Sequence, residues 1–200
     1  MMRPHALVIG GTGMLRQVAV HLARQDHTVS VIARDIERLR AVVDATQHAD
    51  GVVNVIPVDY HDSAALAAAI REAAMILGPV TLAVSWIHTS AAEAPYAVAD
   101  AINQGGHICR FFDVLGSSAG DPAHPMAERE ERFRAFAHIR YRRIVLGFCV
   151  ENDGSRWLTN EEIQAGVLEA LAEDQVSSII GTVSPWSRRP PVRSDLPSSV

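Results

Sequence analysis

Short aliphatic, β-branched runs alternate along this chain with alanine-rich stretches whose apolar positions recur at helical spacing. The runs are HALVIG (5–10), TVSVIAR (28–34), VVNVIPV (52–58), VTLAVSWI (80–87), HICRFFDVL (107–115), RRIVLGFCV (142–150) and VSSIIGTV (176–183). Near-continuous hydrophobicity marks strands buried on both faces, so these runs predict a parallel sheet of about seven strands covered by helices on both sides. Between them, Leu66, Ile70, Ala73, Ala74 and Leu77 share one helical face behind Asp62 and Ser63, which can cap its first turn. In TNEEIQAGVLEAL, Thr159 stands three residues before Glu162 as a capping box, ahead of an apolar stripe at Ile163, Val167, Leu168 and Leu171. The expected fold class is α/β, a doubly wound parallel sheet in one domain over 1–185. Residues 186–200, rich in proline and serine with little to bury, are expected to form a mobile or surface-draped end.

Composition narrows the class. A chain of 200 residues buries roughly 70% of its unfolded surface, so a full core needs no staples. Hydrophobic residues at 48% against 20% charged exclude a disordered chain. No apolar stretch approaches the ~20 residues of a membrane span. The first residues run straight into a strand and leave no room for a leader, which predicts a cytoplasmic location. A net charge of −5 argues against nucleic acid, and the cluster Arg140, Arg142 and Arg143 is too small to reverse that. Cys109 and Cys149 sit in apolar runs and read as core; two isolated cysteines make neither a zinc nor a disulfide framework. The expected partner is a small molecule.

The chemistry begins in VIGGTGMLRQV. A strand, then Gly10, Gly11 and Gly13, then a helix lets backbone N–H groups at the helix start face a pyrophosphate. Thr12, Met14, Leu15 and Arg16 complete the candidate cofactor turn. Arg16 occupies the place of the usual last glycine, and its side chain either adds a cation to the phosphates or projects into solvent. At the end of the second strand, VIARD places Arg34 where an acid would hold the ribose 2′-hydroxyl of NAD. An arginine there can pair with a 2′-phosphate, and a charge-assisted bond of roughly 1.5–3 kcal/mol favours NADP by about tenfold or more. The alternative is a solvated Arg34 beside a helix-capping Asp35. After the third strand, Asp59 and its neighbour Tyr60 are candidates for the adenine end, with Asp59 accepting from the amino group or serving only its loop.

VIGGTGML, VIAR, VDY, LAVSWIH and DVLGSSAG together resemble the short-chain dehydrogenase/reductase family over about residues 5–185. The resemblance implies a Rossmann-type fold, NADP(H) as cofactor, and a nicotinamide above the C-terminal ends of strands four and five, beside Ser85 and Trp86. It also implies that Ser117 or Ser118 holds a substrate carbonyl. The family's tyrosine acid, with a lysine four residues on, has no counterpart in AHPMAEREERFRAFAHIRYRR, and the chain contains no lysine at all. Arginine is no simple substitute, because its fork geometry differs from a compact ammonium. The chain is therefore expected to be an atypical, shortened member. Tyr141 either reaches the site or packs at a strand end, and His88 is the best-placed histidine for proton donation. Short connections after strands four and five predict a pocket that is small, open, or completed by a partner chain or the C-terminal end. Trp157 either lies on the ligand side with Arg156 or packs onto the capped helix. The expected function is NADP-dependent hydride transfer to or from a carbonyl, imine or activated double bond, with Ser117 and either His88 or Tyr141 as catalytic residues. The alternatives are an NADP(H) sensor or regulatory protein, and a non-redox cyclase or dehydratase. On the family's pattern the chain can also form a homo-oligomer.

Overall fold

Strand β1 (His5–Ile9) is buried along its whole length, as the unbroken apolar run requires of a central strand. The computed structural model describes residues 3–121, 126–152 and 154–191. The other strands are β2 (Thr28–Ala33), β3 (Val52–Pro57), β4 (Val80–Trp86), β5 (Cys109–Leu115), β6 (Ile139–Leu146), β7 (Phe148–Glu151), β8 (Gly154–Trp157) and β9 (Ser177–Ile180). Seven of them form one parallel sheet in the order β3-β2-β1-β4-β5-β6-β9, the doubly wound arrangement expected. The order reverses between β1 and β4, so a crevice opens above their C-terminal ends.

Helices α1 (Arg16–Arg24), α2 (Ile36–Ala45) and α6 (Asn160–Glu173) cover one face, burying residues such as Val18, Leu39 and Val167 against Val8, Val31 and Phe112. Helices α3 (Ser63–Leu77), α4 (Ala94–Asn103) and α5 (Ala127–Arg134) cover the other, with Ile70, Val98 and Phe133 against Leu7, Ile9 and Phe111. The caps fall where the sequence puts them. Asp62 accepts from the Ala65 amide at 3.0 Å, and Thr159 and Glu162 exchange both bonds of their capping box. Arg156 adds two bonds to Glu162 at 2.8 and 2.9 Å.

Two expectations change. The run 142–150 is not one strand: β6 begins earlier, at Ile139, and ends at Leu146, and after Gly147 the chain turns into an antiparallel hairpin of β7 with β8. Gly147 permits this because a Cβ there would stand 2.1 Å from the Thr182 carbonyl oxygen, where two bonds of 2.9 Å join Phe148 and Thr182. Cys149 consequently lies half-buried on the hairpin, whereas Cys109 is core. The C-terminal end, as far as it is described, lies against the rest of the domain. Residues Trp186–Arg188 form a single 3-10 turn, and the Trp157 indole donates to the Pro191 carbonyl at 3.2 Å. Residues 192–200 lie outside the described ones.

Candidate functional site

Helix α1 starts without a side-chain cap and with no acid in its first turn, and its Arg16 and Val18 amides donate to the Gly13 and Leu15 carbonyls of the preceding turn at 3.0 and 3.1 Å. The turn before it is shaped by its glycines. Gly10 has φ +80°, and a Cβ there would lie 2.9 Å from the Trp86 carbonyl oxygen. A Cβ on Gly11 would meet Val8 and Val31 at 2.9 Å, so this residue seats the turn on the sheet. A Cβ on Gly13 would meet nothing within 4 Å, and the open space above it is where a ligand can approach the backbone.

Three residues expected at the cofactor have side chains that are turned inward or bonded elsewhere. Leu15 is fully buried in the core, leaving only its backbone in the turn. Arg16 is half-buried, and its Nη2 donates to the Ala41 carbonyl of α2 at 2.9 Å, tying the first two helices together. Ser85 is fully buried within β4, its hydroxyl without a partner among the described residues. Met14 packs half-buried against the core.

A cavity of about 170 Å³ opens beside the turn, lined by Gly10, Thr12, Arg34, Arg38, Tyr60 and Trp86 among others. Arg34 pairs with Asp59 at 3.5 Å, and Asp35 caps α2 by accepting from the Glu37 and Arg38 amides at 3.0 and 3.1 Å. Asp59 serves its own loop, holding the His61 amide at 3.0 Å and its ring Nδ1 at 2.8 Å. The His61 amide and ring, with Arg34 beyond them, hold the Asp59 carboxyl below its ordinary value. Arg38, one helical turn past Arg34, is a second cation on this cavity that the sequence reading passed over; the i, i+4 spacing in ARDIER carries the signal.

Beyond Trp86 lie two further cavities, of about 300 and 230 Å³. The larger is lined by Trp86, His88, Pro95, Ser117, Arg129 and Arg189 among others, and the smaller by Trp86, Ser117, Trp157 and Arg189 among others. Trp86 borders all three cavities and packs near Gly10 at one end and Gly116 at the other. Ser117 is buried and lines both of the farther cavities, while Ser118 is exposed and lines only the larger. The Ser117 hydroxyl oxygen accepts from Arg189 Nε at 3.0 Å, so the C-terminal end completes this part of the site. Trp157 lines the smaller cavity. His88 is exposed at the cavity wall, where its Nδ1 accepts from the Ser90 amide at 3.3 Å and caps the turn Thr89–Ala91.

Tyr141 is not at the site. Its ring stacks on Phe133 with centroids 4.1 Å apart, and its hydroxyl donates to Asp113 at 2.9 Å. Burial, then the charge of Asp113, push that hydroxyl well above its ordinary value. What stands on the cavity instead is Arg129, whose Nε donates to the same buried carboxylate at 2.6 Å. In sequence AEREERF reads as a solvated helix face, and its acid partner lies sixteen residues earlier inside an apolar run.

Residues 4–85 match the short chain dehydrogenase family. They contain the glycine turn, Arg34 and Trp86's immediate approach, so the resemblance read from the sequence is borne out there. Solved structures extend the likeness of fold to most of the chain. A short-chain dehydrogenase/reductase from Serratia marcescens is 17% identical with a TM-score of 0.68, over 90% of this chain and 97% of that one. A metagenomic short-chain oxidoreductase in complex with NADP is 18% identical with a TM-score of 0.67, over 90% and 97%. A betaketoacyl-ACP reductase from Bacteroides thetaiotaomicron is 18% identical with a TM-score of 0.65, over 90% and 95%. No curated protein matches the chain in sequence. The likeness to these structures is one of fold, over a seven-stranded sheet.

Proposed function

We propose that this chain binds NADP(H) in the crevice between β1 and β4 and reduces or oxidises a small carbonyl, imine or activated double bond at Ser117. One observation carries the cofactor assignment: Arg34 and Arg38 line the cavity that begins at the Gly10 turn, beside the uncapped start of α1. The glycine turn, with open space above Gly13, suits a pyrophosphate, and two guanidinium groups suit a 2′-phosphate. NADPH, when bound, supplies a hydride. Carbonyl reduction places that hydride on carbon and a proton on oxygen, giving the alcohol and NADP+.

In this reading Ser117 binds and polarises the substrate oxygen. Because Arg189 donates to its Oγ, the serine O–H is left free to donate onward, and a donor that is itself hydrogen-bonded is the stronger for it. His88, at the solvent-facing wall, passes the proton. A second reading, a nucleotide-binding sensor without turnover, is favoured by one fact: Tyr141, one of the two candidates for the proton, spends its hydroxyl on Asp113.

The experiment is calorimetric titration of NADPH and NADH into the protein and into a Gly13→Asp variant, followed by a carbonyl screen read by NADPH absorbance. NADPH binding abolished by the substitution supports the cofactor site, and turnover then selects the enzyme over the sensor. Binding of neither nucleotide refutes both.

A further inference from the structure

Arg189 stands apart from the other arginines of the site. Arg129 is matched by Asp113, Arg34 by Asp59 and Arg38 by Asp35. Among the described residues no carboxylate pairs with Arg189, and only its Nε makes a hydrogen bond, to Ser117. The remaining four N–H groups of the fork find no acceptor there. The guanidinium is nonetheless held firmly, 5.1 Å from the Trp157 ring and 5.2 Å from the Trp186 ring, and the residue is half-buried. A half-buried cation held beside two indoles, with its fork unfilled, calls for a planar anion.

From this we infer that the cavity takes a carbonyl compound bearing a carboxylate beside the carbonyl, a 2-oxo acid, with the carboxylate on Arg189 and the carbonyl oxygen on Ser117. Adjacency follows from the 3.0 Å bond: the fork that holds the anion is bonded to the hydroxyl that polarises the oxygen, so the two substrate groups are near neighbours. The size agrees, since about 300 Å³ is at the small end of ligand pockets. So does the lining, where Ile87, Pro95 and Leu115 leave an apolar wall for a short side chain. The assignment of Ser117 as the carbonyl site rests on the function proposed above; the anion site on Arg189 does not.

The test uses oxamate, a carboxylate joined to an unreactive carbonyl, and its neutral counterpart oxamide, each titrated into the full chain saturated with NADPH and into the chain alone. Oxamate should bind and oxamide should not. Arg189→Gln should weaken oxamate by about tenfold or more, with Arg189→Lys between the two, because the charge survives but the fork does not. In both variants NADPH affinity should fall less than oxamate affinity, and the far-ultraviolet circular dichroism should remain that of the folded chain. Oxamide binding as well as oxamate, or oxamate affinity surviving in Arg189→Gln, overturns the proposal. Improved oxamate binding on removal of Arg189 overturns it too, since the side chain would then be a plug. Failure of NADPH to bind strikes the cofactor reading alone, because the oxamate contrast between wild type and variants is also read without nucleotide.

Discussion

Arg129 donates to the Asp113 carboxylate at 2.6 Å directly beneath the cavity that Ser117 lines. Asp113 is buried on β5 and also accepts from Tyr141, so burial pushes its carboxyl upward while the guanidinium and the hydroxyl pull it back. Removing one partner leaves the other charged and without its counterion. Arg129→Leu should cost about 3–5 kcal/mol, whereas Asp113→Leu combined with Arg129→Leu should recover most of that. Urea denaturation of the single and double variants reads the difference. Equal losses in both would mean that the pair contributes by packing rather than charge.

The glycine turn separates folding from binding. Gly10→Ala places a side chain at φ +80° and against the Trp86 carbonyl, so it should destabilise the fold by about 1–2 kcal/mol. Gly13→Ala meets nothing within 4 Å and should leave the melting temperature unchanged while lowering NADPH affinity. Melting curves and titrations on the two variants should therefore show opposite patterns.

Much of the frame was legible because β1, β2, β4 and β5 are largely buried on both faces, and such strands are written as near-continuous apolar runs. The helix caps at Asp62 and Thr159 were legible because their partners are three residues away. The site was less so, for reasons of distance and register. Leu15 and Ser85 sit in the right segments, but which way each side chain faces depends on the sheet beneath, so both turned inward. Arg189 could not be placed at all. It reaches Ser117, seventy-two residues away in sequence, only because Thr182 pairs with Phe148 and returns the chain across the sheet's C-terminal edge.

The cofactor preference is carried by charge at the end of β2. Arg34→Asp should lower NADPH affinity by about tenfold or more and leave NADH within about twofold, and Arg38→Ala should repeat this to a smaller degree. Both losses should shrink in high salt, since Arg34 and Arg38 are exposed. Equal losses for the two nucleotides would place the 2′-phosphate elsewhere.

His5 gives the fold an acid limit. Its ring is buried between Ser30 Oγ at 2.8 Å and the Gly78 carbonyl at 2.7 Å, and burial pushes it below its ordinary 6.5, against the pull of the Gly78 bond. The folded chain keeps His5 neutral where the unfolded chain takes up a proton. Its contribution is therefore complete above pH 6.5 and falls as pH drops from 6.5 toward the folded value, by up to ~1.4 kcal/mol per unit. Urea midpoints compared at pH 7.5 and pH 5.5 should move apart less in a His5→Gln variant than in the wild type.

Trp86 makes the site observable. Its indole separates the cavity lined by Arg34 from the two lined by Ser117, so a dinucleotide extending from one side to the other must pass along it or displace it. NADPH should quench tryptophan emission, and Trp86→Phe should remove most of that quenching while nucleotide still binds. The other two tryptophans, Trp157 and Trp186, flank Arg189 and should respond to oxamate instead. If NADPH quenches the Trp86→Phe variant as strongly as the wild type, the nucleotide does not cross the β1–β4 crevice at Trp86, and the farther cavities belong to a ligand of their own.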